Sequence, residues 1–326
     1  MMQIGTRRLA GALLLCLLLT LAAACGGSGA GEAQLSYRFA DKDEAAELLL
    51  SNRDYFENLN QSNLDYRMQK KDAALEELEA FTAAQTLDFT DEEKAAVDFA
   101  MGAITRACEE RGYRLPAADD IVFAKTTMEE ECGAGGYTHG KQIYLGEELL
   151  EYGVSADPAD QVLFRQILAH ELFHCLTRQH PDFRADMYAL LGFTVEEADY
   201  DFPPAVRDRI INNPDVEHYN SHAAFAIDGE TRDCVVIFTS KPFEQPGDSF
   251  FDEMQTCLVP VDDLSAVYSS EDAENFWEVF GENTDYVIDP EEALADNFAY
   301  AVVYGPDGAN YKTPALIEAI DAYLKG

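Results

Sequence analysis

Between residues 41 and about 111, apolar residues recur at spacings of three and four, separated by polar positions that are mostly acidic. "DKDEAAELLLSNRDYFENLN" and "MQKKDAALEELEAFTAAQ" both carry this period, which predicts amphipathic helices. In "DFTDEEKAAVDFAMGAITRACEERGYRLP" both ends of a helix are marked, by Thr90 as N-cap before an acidic first turn and by Gly112 as terminator. The period then changes. "DIVFAKTT" and "GYTHGKQIYL" read as strands joined through "GAGG". A long helix follows, starting near Asp157 or Asp160 and running through "ILAHELFHCLTRQH"; "PDFRADMYALLGF" ends it and opens another helical turn. Next come "PPAVRDRIINNPD" and two β-rich blocks, "AAFAIDGETRDCVVIFTS" and "TCLVPVDDLSAVY". Two helical stretches close the chain, "DPEEALADNFAYAVVYG" and "TPALIEAIDAYLKG". No internal repeat is visible. This order of helices, paired strands, long helix and later acidic helix predicts an α+β fold, with an N-terminal helical layer at 41–115 and a second region at 116–326.

The first residues follow a different pattern. Arg7 and Arg8 precede the apolar run "LAGALLLCLLLTLAAA", which is shorter than the roughly 20 residues of a membrane-spanning helix. A basic start, a short apolar stretch and small residues before a cleavage point predict a secretory signal at 1–24. Ala22-Ala23-Ala24-Cys25 resembles a bacterial lipobox, with Leu21 one place further from the cysteine than usual, and implies lipidation at Cys25. "GGSGAGEAQ" beyond it reads as part of a flexible tether over 25–40. The expectation is an extracytoplasmic protein held to the bacterial cell membrane by its lipid.

The formal charge of −38 becomes −40 once Arg7 and Arg8 are removed with the signal. So acidic a surface repels nucleic acid and anionic lipid, and neither is an expected partner. Setting aside Cys16 and Cys25, cysteines 108, 132, 175, 234 and 257 remain. The spacing allows Cys234 with Cys257, or Cys108 with Cys132, to bridge, and leaves Cys175 beside the long helix as a thiol. No CxxC is present to suggest a thiolate metal site.

The candidate chemistry lies in the long helix. His170-Glu171-x-x-His174 is an HExxH pattern. Residues four apart on a helix point the same way, so His170 and His174 can hold one zinc ion, and Glu171 beside the first is placed to act as the base. The third ligand has two candidates. His180 falls ten residues after His170, the spacing of HExxHxxGxxH, but Thr177 stands where that pattern needs a helix-breaking glycine. If the helix continues, ten residues separate the two Cα atoms by about 15 Å, too far for a shared ion. The competitor is Glu292 in "PEEALADNFA", one helical turn before Asp296, whereas Glu291 is turned about 100° away from Glu292.

With HExxH and a later ExxxD ending in "AD", the sequence resembles the gluzincin zinc metallopeptidases. The resemblance implies that Glu292 is the third zinc ligand, that Asp296 hydrogen-bonds a zinc-binding histidine, and that one zinc ion is the cofactor. It also implies a zincin-like core: a small β-sheet, an HExxH helix and a downstream ExxxD helix. The sheet's edge strand, here residues 137–145, pairs with extended substrate. His139 on that strand is expected at the rim. Zinc peptidases often stabilise the oxyanion with a histidine or tyrosine; "NPDVEHYNSH" offers His218, Tyr219 and His222. The expected activity is zinc-dependent hydrolysis of a peptide or protein substrate. Its rivals are a surface binding lipoprotein with a structural or degenerate zinc site, and a metzincin-type peptidase using His180.

Overall fold

The last residues of the expected tether form a strand. The computed structural model describes residues 35–326; the signal segment at 1–24, Cys25 and the tether through residue 34 lie outside them. Strand β1 (Leu35–Phe39) is followed by four short helices, α1 (Lys42–Ser51), α2 (Arg53–Asn58), α3 (Gln61–Met68) and α4 (Leu75–Ala84). After a two-residue strand β2 (Thr86–Leu87) comes the long α5 (Asp91–Arg111). Its ends are those the sequence predicts. Thr90 and Glu93 form a reciprocal capping box, and Gly112 closes the helix in the left-handed conformation, φ +73°.

Strands β3 (Ala118–Thr126), β4 (Gly136–His139) and β5 (Gln142–Gly146) build the first sheet with β1. Its order is β1-β3-β5-β4, with β1 and β5 parallel to β3 and β2 pairing with the far end of β3. The stretch 137–145, expected to be one edge strand, is a hairpin. Gly140 at φ +54° turns the chain, so β4 alone is the edge and β5 lies inside the sheet.

Helix α6 (Glu147–Val154) leads into the central helix α7 (Pro158–Gln179). Asp157 caps α7 by accepting from the Ala159 amide, and Pro158 occupies its first position. Leu168, Leu172, Phe173 and Leu176 are all buried, each contributing about 1.5–3 kcal/mol. With Thr177 instead of glycine, α7 runs unbroken past the HExxH pattern to Gln179, and α8 (Pro181–Ala189) begins directly after His180.

The remaining strands, β6 (Thr194–Val195), β7 (Ser221–Ile227), β8 (Glu230–Thr239), β9 (Gln255–Pro260) and β10 (Tyr268–Ser269), form an antiparallel sheet in the order β10-β9-β8-β7-β6. Helices α9 (Pro204–Arg207) and α10 (Phe276–Phe280) are short; α11 (Pro290–Val303) and α12 (Pro314–Lys325) complete the chain. Among the described residues, two sheets and twelve α-helices make this a mixed α+β structure.

Residue 115 is not a packing boundary. Val97, Met101 and Ile104 of α5 share one core with α7 and α11, while Phe56, Leu64 and Leu78 of the shorter helices form a separate small cluster. None of the five cysteines from 108 onward is bridged. Cys234 lies opposite Pro260 and Cys257 opposite Ile237, three rungs apart on the ladder, which rules out a bond between them. No described helix is long and apolar enough to cross a membrane.

Candidate metal centre

Helices α7 and α11 pack side by side, bringing the HExxH turn against the first turns of α11. Asp289 caps α11 by accepting from the Glu291 amide at 2.8 Å, and Pro290 starts the helix, so Glu291 and Glu292 sit in its first turn. Glu292 Oε2 lies 3.0 Å from His170 Nε2 and 3.7 Å from His174 Nε2. Donors on a tetrahedral zinc ion with bonds of about 2.1 Å are about 3.4 Å apart, so these separations straddle the value a shared ion requires. The three donor atoms lie within 4.8 Å of one another.

His174 Nε2 supplies an independent test of fit: it is buried and has no hydrogen-bond partner among the described residues. A buried ring nitrogen left unpaired is costly unless something fills the position. The opposite nitrogens are both held. His170 Nδ1 donates to Asp296 Oδ1 at 2.9 Å, and His174 Nδ1 donates to Glu291 Oε1 at 3.0 Å. Fixing Nδ1–H leaves each Nε2 to face a metal. The residues present therefore fit a zinc ion.

In the metal-free chain burial disfavours charge on His170, but the Asp296 and Glu292 carboxylates against its two nitrogens outweigh burial and hold its pKa well above 6.5, so that a metal at Nε2 would take the place of a proton. The Thr284 hydroxyl donates to the other oxygen of Asp296.

Glu291 does turn away from the donor cluster, as the helical angle requires, but not to solvent. Its buried carboxylate accepts from His174 Nδ1, from the Thr177 hydroxyl and from the Tyr188 hydroxyl at 2.7 Å. Burial opposes its ionisation; His174, Arg184 and Arg178 more than compensate, bringing its pKa down to about 2. The adjacent acidic pair is thus divided, with Glu292 against the Nε2 atoms of His170 and His174 and Glu291 against Nδ1 of His174.

Glu171 is buried, and its Oε2 accepts from the Thr138 hydroxyl of β4 at 2.7 Å. The edge strand therefore orients the candidate base. Glu171, His174 and Asp215 form a second group with donor atoms within 4.8 Å, which the sequence did not signal. Asp215 Oδ1 accepts from the Thr138 amide at 2.6 Å and lies 3.9 Å from His174 Nε2. Burial and the neighbouring Glu171 and Glu292 carboxylates push its pKa well above the ordinary carboxylate range, despite Arg178. Asn213 Nδ2 donates to Glu292 Oε1 at 2.6 Å. Nothing in "INNPD" beyond its turn character pointed to these contacts.

The other candidates lie elsewhere. His180 terminates α7, and its Nε2 donates to the Ala117 carbonyl at 2.6 Å, outside the donor group. His218 pairs with Asp199 at 3.2 Å on the surface, Tyr219 packs against Phe202, and His222 Nδ1 shares a hydrogen bond with the Tyr200 hydroxyl at 2.9 Å. None of these three is brought into the donor cluster. His139 is buried on β4 between Tyr55 and Tyr137, where burial lowers its pKa to about 3 and keeps it neutral. A tyrosine that the sequence did not single out, Tyr286, has its hydroxyl 3.5 Å from Asn213 Nδ2. With Asn213, Asp215 and the Phe250 and Phe251 rings it lines a small cavity of about 50 Å³ beside the cluster.

No family model, curated protein or solved structure matches this chain.

Proposed function

We propose that the chain is a zinc-dependent peptidase of gluzincin type, carried outside the cytoplasm on a lipid anchor at Cys25. The observation that carries this reading is the unpartnered, buried His174 Nε2 facing the same point as His170 Nε2 and Glu292 Oε2. Zinc bound there supplies the Lewis acidity that polarises a peptide carbonyl and makes water nucleophilic near neutral pH. The protein's own residues do the rest. Asp296 and Glu291 hold the imidazoles in one tautomer, and Thr138 holds the Glu171 carboxylate. Glu171 takes a proton from the attacking water and returns it to the leaving amine. Tyr286, rather than His218, Tyr219 or His222, is the candidate donor to the developing oxyanion.

One observation favours a second reading, a binding lipoprotein with a closed structural zinc site: Asp215 is near enough to the cluster to offer a carboxylate as fourth ligand. Metal analysis with a turnover assay separates the two. The peptidase reading expects one zinc per chain, hydrolysis of fluorescently labelled casein, loss of that hydrolysis on chelation and its return with added zinc. Zinc bound at one per chain with no hydrolysis by the wild type or by a chain with Asp215 replaced leaves the structural reading; no zinc at all sinks both.

A further inference from the structure

The outer face of β4 is covered by side chains rather than by another strand. Among the described residues, β4 ends the sheet and pairs only with β5. One outward amide of β4 and that of the turn residue just after it are nevertheless taken: the Thr138 amide donates to Asp215 Oδ1 at 2.6 Å and the Gly140 amide to Glu217 Oε1 at 2.9 Å. Both donors and both acceptors are spaced two residues apart, the repeat with which an extended peptide meets a sheet edge. Residues 213–217 thus run along β4 and offer carboxylates where a bound peptide would offer backbone carbonyls.

The same segment reaches the metal-facing groups. Asn213 holds the free oxygen of Glu292, and Asp215 joins Glu171 and His174. The segment is tied down at each end. The Arg67 guanidinium, buried against Glu131, donates to the Asn212 carbonyl at 2.8 Å. Arg178 donates to the Pro214 carbonyl at 3.2 Å and pairs with Glu217 at 3.1 Å. Two cavities of about 400 and 480 Å³ flank it, with Val216, Glu217 and His218 lining both.

We propose that residues 213–217 are a built-in strap that occupies the place of an extended peptide on β4 and lowers the site's affinity for peptide until the strap is displaced. The proposal rests on the peptidase reading for its function, but its structural content can be tested without turnover. Because the strap is held through side chains and makes no ladder with β4, a peptide pairing by its backbone can replace it. The apparent affinity of such a peptide is then reduced by the fraction of molecules with the strap closed.

The test compares wild type, Asp215→Ala and Glu217→Ala. Amide hydrogen exchange is read at Thr138 and Gly140, and casein binding is measured in a Glu171→Gln background, where cleavage is suppressed. In the wild type both amides are expected to be protected. Asp215→Ala should speed exchange at Thr138 and Glu217→Ala at Gly140, each by at least about tenfold. Binding of labelled casein should tighten by about tenfold in Asp215→Ala and less in Glu217→Ala, with zinc content unchanged. Glu217 is partly exposed, so its variant keeps the test available if removing Asp215 from beside buried Arg178 prevents folding. Unprotected Thr138 and Gly140 amides in the wild type overturn the proposal, as does casein binding that is unchanged or weaker in the folded variants. A wild type that binds no zinc overturns the peptidase reading instead, and leaves the exchange and binding results to judge the strap.

Discussion

The Thr177 hydroxyl donates to the Glu291 carboxylate, the same carboxylate that accepts from His174 Nδ1. The residue that keeps α7 helical where a glycine would break it thus also orients the group behind His174. A matching chain runs from Thr284 through Asp296 to His170. Carboxylates behind zinc-bound imidazoles set both tautomer and basicity, and losing one typically costs about 10–100-fold in metal affinity. Glu291→Gln should therefore weaken zinc binding by about that factor with all three ligands intact, and Thr177→Val should weaken it less. Competition against a chelator of known affinity measures both; an unchanged zinc affinity in Glu291→Gln would reduce that residue to a packing role.

The identity of the third ligand is tested by two substitutions on different elements. Glu292→Gln removes the carboxylate 3.0 Å from His170 Nε2, whereas His180→Ala removes a side chain bonded to the Ala117 carbonyl. Zinc stoichiometry should fall well below one per chain in the first and stay at one in the second. The reverse pattern would return the site to the HExxHxxGxxH arrangement.

Glu171→Gln keeps the shape of the side chain and its contact with Thr138 but removes the base. General-base catalysis of this kind is worth about 10²–10⁴-fold, so casein hydrolysis should drop by that range while zinc remains bound. Thr138→Val leaves the carboxylate present but unheld on one oxygen, and should lower kcat by a smaller factor than Glu171→Gln. Turnover unaffected by Glu171→Gln would end the proposed mechanism.

Phe173 fills one of the variable positions of HExxH and is fully buried, with its ring 5.4 Å from that of Phe298 on α11. It joins the two helices that carry the candidate ligands. Phe173→Ala should cost about 3–5 kcal/mol of stability, measurable by urea unfolding of the chelator-treated protein. A loss below about 1 kcal/mol would mean that the α7–α11 contact does not depend on this ring.

What the sequence revealed about this fold follows from how local each signal is. Both ends of α5 were legible because Thr90 and Gly112 each act within one turn, and the start of α7 was narrowed to Asp157 or Asp160, of which Asp157 is the cap. His170, His174, Glu292 and Asp296 were legible because a helix converts their spacing into a shared direction. Strand β1 was not, since "LSYRF" follows a glycine- and alanine-rich stretch and its partner β3 lies about 80 residues away. Glu291 was read only against the metal position, although a first turn lying across two histidines offers their rear nitrogens as targets too. Asp215 and Asn213 gave no signal because their roles arise from contacts 77 and 79 residues away, with Thr138 and Glu292.

Away from the metal centre, Glu130 sets a distinct pH dependence of stability. Its side chain is buried beneath Tyr137, whose hydroxyl donates to Oε1 at 2.8 Å, with Tyr144 nearby and the Arg67–Glu131 ion pair adjacent. Burial disfavours the charged carboxylate more than the Thr126 and Tyr137 hydrogen bonds favour it, and raises the pKa from 4.5 to about 7. The folded chain therefore keeps this proton to a higher pH than the unfolded chain does. Below about pH 4.5 both states hold it and its contribution to stability is complete. Between pH 4.5 and 7 only the folded state holds it, so stability declines as pH rises; above pH 7 the contribution is lost. One proton held across that window is worth about 1.4 kcal/mol for each pH step, so the total decline is on the order of 3 kcal/mol. Glu130→Gln keeps the shape without the charge and should remove that part of the slope. Relative to wild type it should gain stability between pH 5 and pH 8 in urea unfolding of chelator-treated protein. If the difference between the two proteins is the same at both pH values, Glu130 is not the buried acid responsible.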